Sequence, residues 1–232
     1  MPSCDILTCI KSLQDGRPIY IERLGNIDVK ALYAVTTQER LLKQLVSEYE
    51  RCAFERFPAC SLVKGELVET SCTILDLQGV GLGQFYKVRD YVSKASTIGQ
   101  DRYPETMGKF YIINAPWGFA TIWNLIKGWL DEVTVAKIHI HGSDYKQHLL
   151  AQIPAENLPG EYGGTCRCVG GCSLADQGPW QDPNIMQQVR AMNEAKRVAA
   201  TNANEKPEAV ESNPTPTAPE SSSTQTDTAP TS

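Results

Sequence analysis

"YPETMGKFYIINAPWGFATIWNLIKGWLD", from Tyr103 to Asp131, decides how the rest of the chain is read. Phe110 to Ile113 is a short apolar run of the kind that forms a buried strand. Pro116 then breaks the chain, since its ring fixes the backbone and removes a donor. A helix-length segment follows, carrying Trp117, Phe119, Ile122, Trp123, Leu125, Ile126, Trp129 and Leu130. Polar side chains are left mainly at Thr121, Asn124 and Lys127, which fall on one narrow stripe of a helical wheel. A surface helix normally has an apolar stripe and a wider polar face. This one predicts apolar contacts on more than one side.

On either side of this stretch, strands and helices alternate. "RPIYIERL" is predicted to be a strand and "TTQERLLKQLVSEYERCAFERF" a helix. Thr36 and Glu39 have capping-box spacing, and Leu41, Leu42, Leu45, Val46 and Tyr49 make one face. "LVETSCTILDL" reads as a strand, "QFYKVRDYVSKASTIG" as a helix, "TVAKIHI" as a strand and "SDYKQHLLAQI" as a short helix. A weaker helix covers "VRAMNEAKRV". Such alternation requires crossover connections, hence an α/β body with a mainly parallel sheet flanked by helices.

The chain has 232 residues, of which 41% are hydrophobic, enough for one cored domain with appendages. A net charge of −5 excludes a strongly basic nucleic-acid footprint and predicts no nucleic-acid partner. There is no run of eighteen apolar residues, so no transmembrane helix is predicted. The first residues, "MPSCDILTCIKSLQDGRP", lack the basic and apolar regions of a secretory signal. Cytosolic residence with reduced thiols is the expectation. Residues 203–232, rich in Pro, Ser, Thr, Ala and Glu, are predicted to be a disordered tail, having too little apolar surface to offset chain entropy.

Several motifs invite chemistry. "LDLQGVGLGQF" superficially matches a dinucleotide-binding turn, but its G-x-G-x-G lacks the third glycine of the fingerprint, and a strand-to-helix turn with positive φ is the better reading. "GTCRCVGGC" holds Cys166, Cys168 and Cys172 at C-x-C-x₃-C spacing. That fits structural zinc badly, and a glycine-rich surface loop with incidental or redox-sensitive thiols and no metal is expected. In "TVAKIHIHG", read as a strand, Val135, Lys137, His139 and His141 share one face. Lys137 must reach water, an acid or an anion, and Thr134 stands near it. Ser71 and Thr73 lie one pleat apart, where two hydroxyls can both donate to one phosphate or else bond to backbone. No nucleophile elbow or kinase motif set is present, and no enzymatic residue set emerges.

Taken together, "DGRPIYIERLG", "TTQERLLKQLVSEYE", "PACS", "LVETSCTILDLQG", "YPETMGKFYIINAPWGF", "DEVTVAKIHIHG", "IPAENLPGEYGG" and "DQGPWQDP" resemble the CRAL-TRIO lipid-binding domain. The likeness is to the fungal phosphatidylinositol/phosphatidylcholine transfer proteins and runs over residues 14–183. It leaves a short lead over residues 1–13, a helical segment over 184–202 and the tail. The resemblance implies that the segment after "INAP" is a gate helix over a deep lipid pocket, with Trp117, Phe119, Ile122, Trp123 and Ile126 meeting acyl chains or membrane. It implies that Ser71 and Thr73 bind a phosphatidylcholine phosphate, and that Tyr20, Tyr49 and Tyr103 surround the choline, as aromatic faces hold quaternary ammonium groups. It implies that Thr134 and Lys137 meet a phosphatidylinositol headgroup, with Glu105 linked to that lysine and to gate movement.

The resemblance further implies a monomer that is not an enzyme, needs no cofactor beyond its phospholipid ligand and meets membrane surfaces transiently. Lipid presentation of this kind would support phosphoinositide synthesis, with a phosphoinositide kinase as an indirect partner, and traffic at Golgi and endosomal membranes. Departures from the family pattern are Thr106, where arginine is frequent, and His139 and His141 in place of apolar residues. The family's N-terminal helical region, about one small domain in size, has no counterpart in the residues ahead of the first predicted strand. A scaffold with a degenerate pocket is the alternative reading.

Overall fold

Four parallel strands carry the fold in the computed structural model, which describes residues 13–25, 27–169, 171–172 and 175–204. They are β1 (Ile19–Arg23), β2 (Ser71–Asp76), β3 (Met107–Ile113) and β4 (Ile138–Ile140), in spatial order β1-β2-β3-β4. The helices are α1 (Val29–Val35), α2 (Gln38–Arg51), α3 (Phe57–Lys64), α4 (Leu82–Arg102), α5 (Phe119–Ile126), α6 (Glu132–Ala136), α7 (Tyr145–Leu150) and α8 (Pro183–Asn204). The chain divides into two compact units, Met1–Ala195 and Lys196–Ser232, and the sheet lies in the first. Residues 1–12 of the predicted lead (1–13) and residues 205–232 of the predicted tail (203–232) lie outside the described residues, while residues 203–204, assigned to the tail, end α8.

Period-two alternation gives the sheet two unlike faces. On one, Ile19, Ile21, Cys72, Ile74, Tyr111 and Ile113 are buried against Tyr145, Leu149, Ile153, Leu158, Tyr162 and Cys166. Each large aliphatic side chain fully buried there contributes about 1.5–3 kcal/mol, which makes this the stable half of the domain. A polar knot closes the ends of the strands. Asp76 accepts from Asn114 at 2.7 Å and from the Tyr162 hydroxyl at 3.1 Å, and Arg23 Nε donates to that hydroxyl at 2.9 Å.

The other face is sparsely covered. In β2, Ser71, Thr73 and Leu75 are half-buried while Cys72, Ile74 and Asp76 between them are buried. Leu77, Phe85, Ile112, Phe119 and Ile122 form a smaller core at one end of this face. A third cluster, Ala59, Cys60, Val68, Trp180, Met186 and Val189, ties α3 to α8.

Several predicted boundaries move. The N-cap of α2 is Thr37, whose hydroxyl accepts from Arg40 N, rather than Thr36. The apolar segment after Pro116 yields only the eight-residue α5, preceded by Gly118 at φ 84° and followed by a 3₁₀ turn over Lys127–Trp129. α8 is longer than predicted, with Asp182 accepting from Asn184 N just ahead of Pro183. "TVAKIHI" is not one strand. Asp131 caps a helical turn, α6, which holds Thr134 and Val135, and only Ile138–Ile140 pairs with β3. His139 therefore stacks on Tyr111 at 5.4 Å, and His141 on His148 at 4.1 Å. The glycine-rich turn ahead of α4 behaves as expected, with Gly79 at φ 82°.

Candidate functional site

Strand register writes two rows across the sparsely covered face. Tyr20 pairs with Thr73, Thr73 with Phe110, and Phe110 with Ile138. One pleat on, Glu22 pairs with Leu75, Leu75 with Ile112, and Ile112 with Ile140. The helices over this face do not fill it. α2 is amphipathic yet buries no residue, and Leu41, Leu42, Leu45, Val46 and Tyr49 stay half-buried. Of the described side chains of α4, only Phe85 is buried. Apolar surface on sheet and helices is thus left partly uncovered on the inside of the molecule, where burial is ordinarily cheap. Among the described residues the result is a trough between the sheet and these helices, lined by half-buried side chains.

The polar groups on the trough floor are few. Thr73 is half-buried, and its hydroxyl has no protein partner among the described residues. The Ser71 hydroxyl donates to the Thr106 carbonyl at a long 3.4 Å, so little is lost if it turns to a ligand. Glu22 is the residue that the sequence reading missed. Burial pushes its carboxyl up to about 7, although the side chain still touches open space. That combination marks the floor of a concavity, near much protein and little water. Tyr20, beside it, is raised by burial and then by the Glu22 charge. Alternation in "IYIER", which puts both residues on the face opposite Ile19 and Ile21, is the signal that could have found Glu22.

The three predicted tyrosines are brought together only in part. Tyr49 and Tyr103 stack at 4.5 Å with rings 12° apart. Tyr103 donates to Glu50, while burial raises the Tyr49 hydroxyl. Gly99 makes room for Tyr49, because a Cβ there would lie 3.0 Å from its hydroxyl. Tyr20 stands on the sheet instead, paired with Thr73.

Glu105, Thr134 and Lys137 form a second group at the strand ends. Lys137 Nζ lies 2.9 Å from Glu105 Oε2, the pairing expected from the resemblance. Glu105 is largely exposed and adopts φ 61°, a left-handed conformation that costs a residue with a side chain of order 1 kcal/mol or more. Thr134 and Lys137 share a helical turn, not a strand face, with Lys137 N donating to Thr134 O at 3.1 Å. The Thr134 hydroxyl donates to Asp131 Oδ2 at 2.7 Å, so it offers an incoming anion a donor only if that cap opens.

The wall α2 is held from behind. A π-helical turn over Cys52–Arg56 follows it and directs Arg56, 2% exposed, back to Glu48 at 2.9 Å. Arg56 also lies over the Trp180 ring, at 5.8 Å. On the other side, α5 buries Phe119 and Ile122 and leaves Trp123, Leu125 and Ile126 half-buried, while Trp117 ahead of it is 97% exposed.

This arrangement of sheet and helices has known counterparts. The CRAL/TRIO domain model matches residues 9–164. The chain belongs to the CRAL/TRIO domain family. It is 60% identical over 174 residues to the Sec14 cytosolic factor of Schizosaccharomyces pombe, covering 75% of this chain and 61% of that protein. It is 53% identical over 176 residues to the SEC14 cytosolic factor of Yarrowia lipolytica, covering 76% of this chain and 36% of that one. To the phosphatidylinositol/phosphatidylcholine transfer protein SFH4 of Arabidopsis thaliana it is 45% identical over 181 residues, covering 77% and 30%. The chain therefore spans under two thirds of the length of these relatives. A crystal structure of Sfh5 superposes with a TM-score of 0.57 at 17% identity, covering 84% of this chain and 64% of that one, a likeness of fold. No helix among the described residues is long and apolar enough to cross a membrane.

Proposed function

We propose that this CRAL/TRIO domain binds one phospholipid in the trough and transfers it between membranes. The observation that carries this reading is the half-covered sheet face, where Thr73, between Tyr20 and Phe110 in the register, has a hydroxyl with no protein partner among the described residues. Acyl chains would complete the burial that α2, α4 and α5 leave unfinished. Ser71 and Thr73 would donate to the lipid phosphate. A choline cation would lie toward Glu22 and the tyrosines, and a phosphatidylinositol headgroup toward Lys137 and Thr134. The half-buried aromatic surface of α5, with the exposed Trp117, would meet a membrane while lipid exchanges.

No bond is made or broken in such a cycle, so the protein is proposed to be a non-enzymatic monomer without a cofactor. Cytoplasmic residence with transient attachment at Golgi and endosomal membranes, and indirect support of a phosphoinositide kinase, belong to the same proposal. The names of the relatives, which include a phosphatidylinositol/phosphatidylcholine transfer protein, support the lipid class. The test is transfer of labelled phosphatidylcholine and phosphatidylinositol from donor to acceptor vesicles by the purified chain. Transfer above the spontaneous rate, lost in Thr73→Val for phosphatidylcholine, is expected. A folded chain that moves neither lipid would indicate a scaffold instead.

A further inference from the structure

The loop after the trough-bearing half of the domain gathers sulfur. Cys166 is buried in the main core, and Cys168 and Cys172 pack against it. Local folding, not sequence spacing, achieves this. Cys166 N donates to Leu158 O at 3.1 Å, fixing the first thiol on the core. A turn then closes from Gly171 N to Cys168 O at 3.0 Å, with Gly171 at φ 95°, and returns Cys172 over Cys166. The Cys166 and Cys168 sulfurs lie 3.5 Å apart, and those of Cys172 and Cys166 3.7 Å. All three lie within 4.8 Å of one another.

We propose that Cys166, Cys168 and Cys172 form a three-thiolate site for a soft d¹⁰ cation, Cu(I) or Zn(II). A metal about 2.3 Å from each of three sulfurs holds them about 3.8–4.0 Å apart, whether it sits above the sulfur triangle or within it. The thiols are already close to that spacing, whereas a disulfide needs two of them drawn to about 2.05 Å. Thiolate ligands select Cu(I) and zinc over harder ions. Among the described residues no fourth His, Cys, Asp or Glu joins the group. Cu(I) is satisfied by three sulfurs, while Zn(II) would complete its shell with water. The C-x-C-x₃-C spacing argued against a metal only because it cannot reveal the turn that folds the third thiol back. A bound ion would pin this loop to the core through Cys166.

The test uses the full chain, reduced and handled without oxygen, and titrated separately with Cu(I) and Zn(II) against a chromophoric chelator. One equivalent of at least one ion should be taken from the chelator, with x-ray absorption showing sulfur neighbours at about 2.3 Å. Cys168→Ser and Cys172→Ser, at partly exposed positions, should each lose that uptake while keeping the wild-type circular dichroism. The Cu(I) and Zn(II) arms distinguish the two ions. Failure to compete with the chelator for either ion, or uptake unchanged in both variants, would overturn the site. So would x-ray absorption showing only nitrogen or oxygen neighbours around the bound ion. Phospholipid transfer plays no part in the readout, so this result stands apart from the function proposed above.

Discussion

At pH 8 the Glu22→Gln variant should melt above the parent chain, and at pH 4.5 the two should coincide. Glu22 has its carboxyl raised from 4.5 to about 7 by burial in the trough floor. The unfolded chain gives up this proton near 4.5, but the folded chain holds it until about 7. The folded state is therefore penalised at high pH. The penalty is absent below 4.5, grows as pH rises from 4.5 to about 7, and is constant above. At 1.36 kcal/mol per pH unit it accumulates to roughly 3 kcal/mol, less whatever the open side of the trough screens. Glutamine removes the ionisation and keeps the shape. For a domain of this size each kcal/mol moves the melting temperature by about 2–4 °C, so the variant should gain roughly 5–10 °C at pH 8. Differential scanning calorimetry of both chains from pH 4.5 to 8.5 reads this directly. Loading with phosphatidylcholine should shrink the difference, because a quaternary ammonium beside Glu22 favours the carboxylate. A difference in melting temperature that does not vary with pH would refute the placement of Glu22 on a desolvated floor.

Other consequences are as direct. Thr73→Val should leave stability within about 1 kcal/mol of the parent, since the hydroxyl bonds to no protein group among the described residues, while phosphatidylcholine retention falls roughly ten- to hundredfold for one lost charged hydrogen bond. Lys137→Ala should also cost under about 1 kcal/mol, its partner Glu105 being largely exposed, yet should selectively weaken phosphatidylinositol loading in a lipid-competition assay. Arg56→Ala should destabilise the fold by about 3 kcal/mol in urea, because it strips Glu48 of a buried partner and loosens α2.

β1, β2 and β3 were legible because alternation and short apolar runs report directly on which side of a strand is buried. The pairing of Lys137 with Glu105 was legible through the resemblance, and a lysine flanked by apolar residues requires water, an acid or an anion in any case. α6 was not legible. Val133, Thr134 and Val135 favour a strand by propensity, and the Asp131 cap that turns them into a helix is a local hydrogen bond, outweighing a weak preference. The shortness of α5 came from Gly118 and the tightened turn at Lys127, which an apolar count ignores. Neither the sparse cover of that sheet face among the described residues nor the meeting of the three thiols could be read from the chain. Periodicity says which side of a helix is apolar, not whether another element covers it, and sequence spacing says nothing of a turn that reverses within four residues.

The most direct measurement is native mass spectrometry of the purified chain, with lipid extracted from the same sample. One phospholipid per chain is expected, phosphatidylcholine or phosphatidylinositol, with phosphatidylcholine depleted in Thr73→Val and phosphatidylinositol in Lys137→Ala. A folded, monodisperse chain that carries no lipid, and takes up none from vesicles, would contradict it.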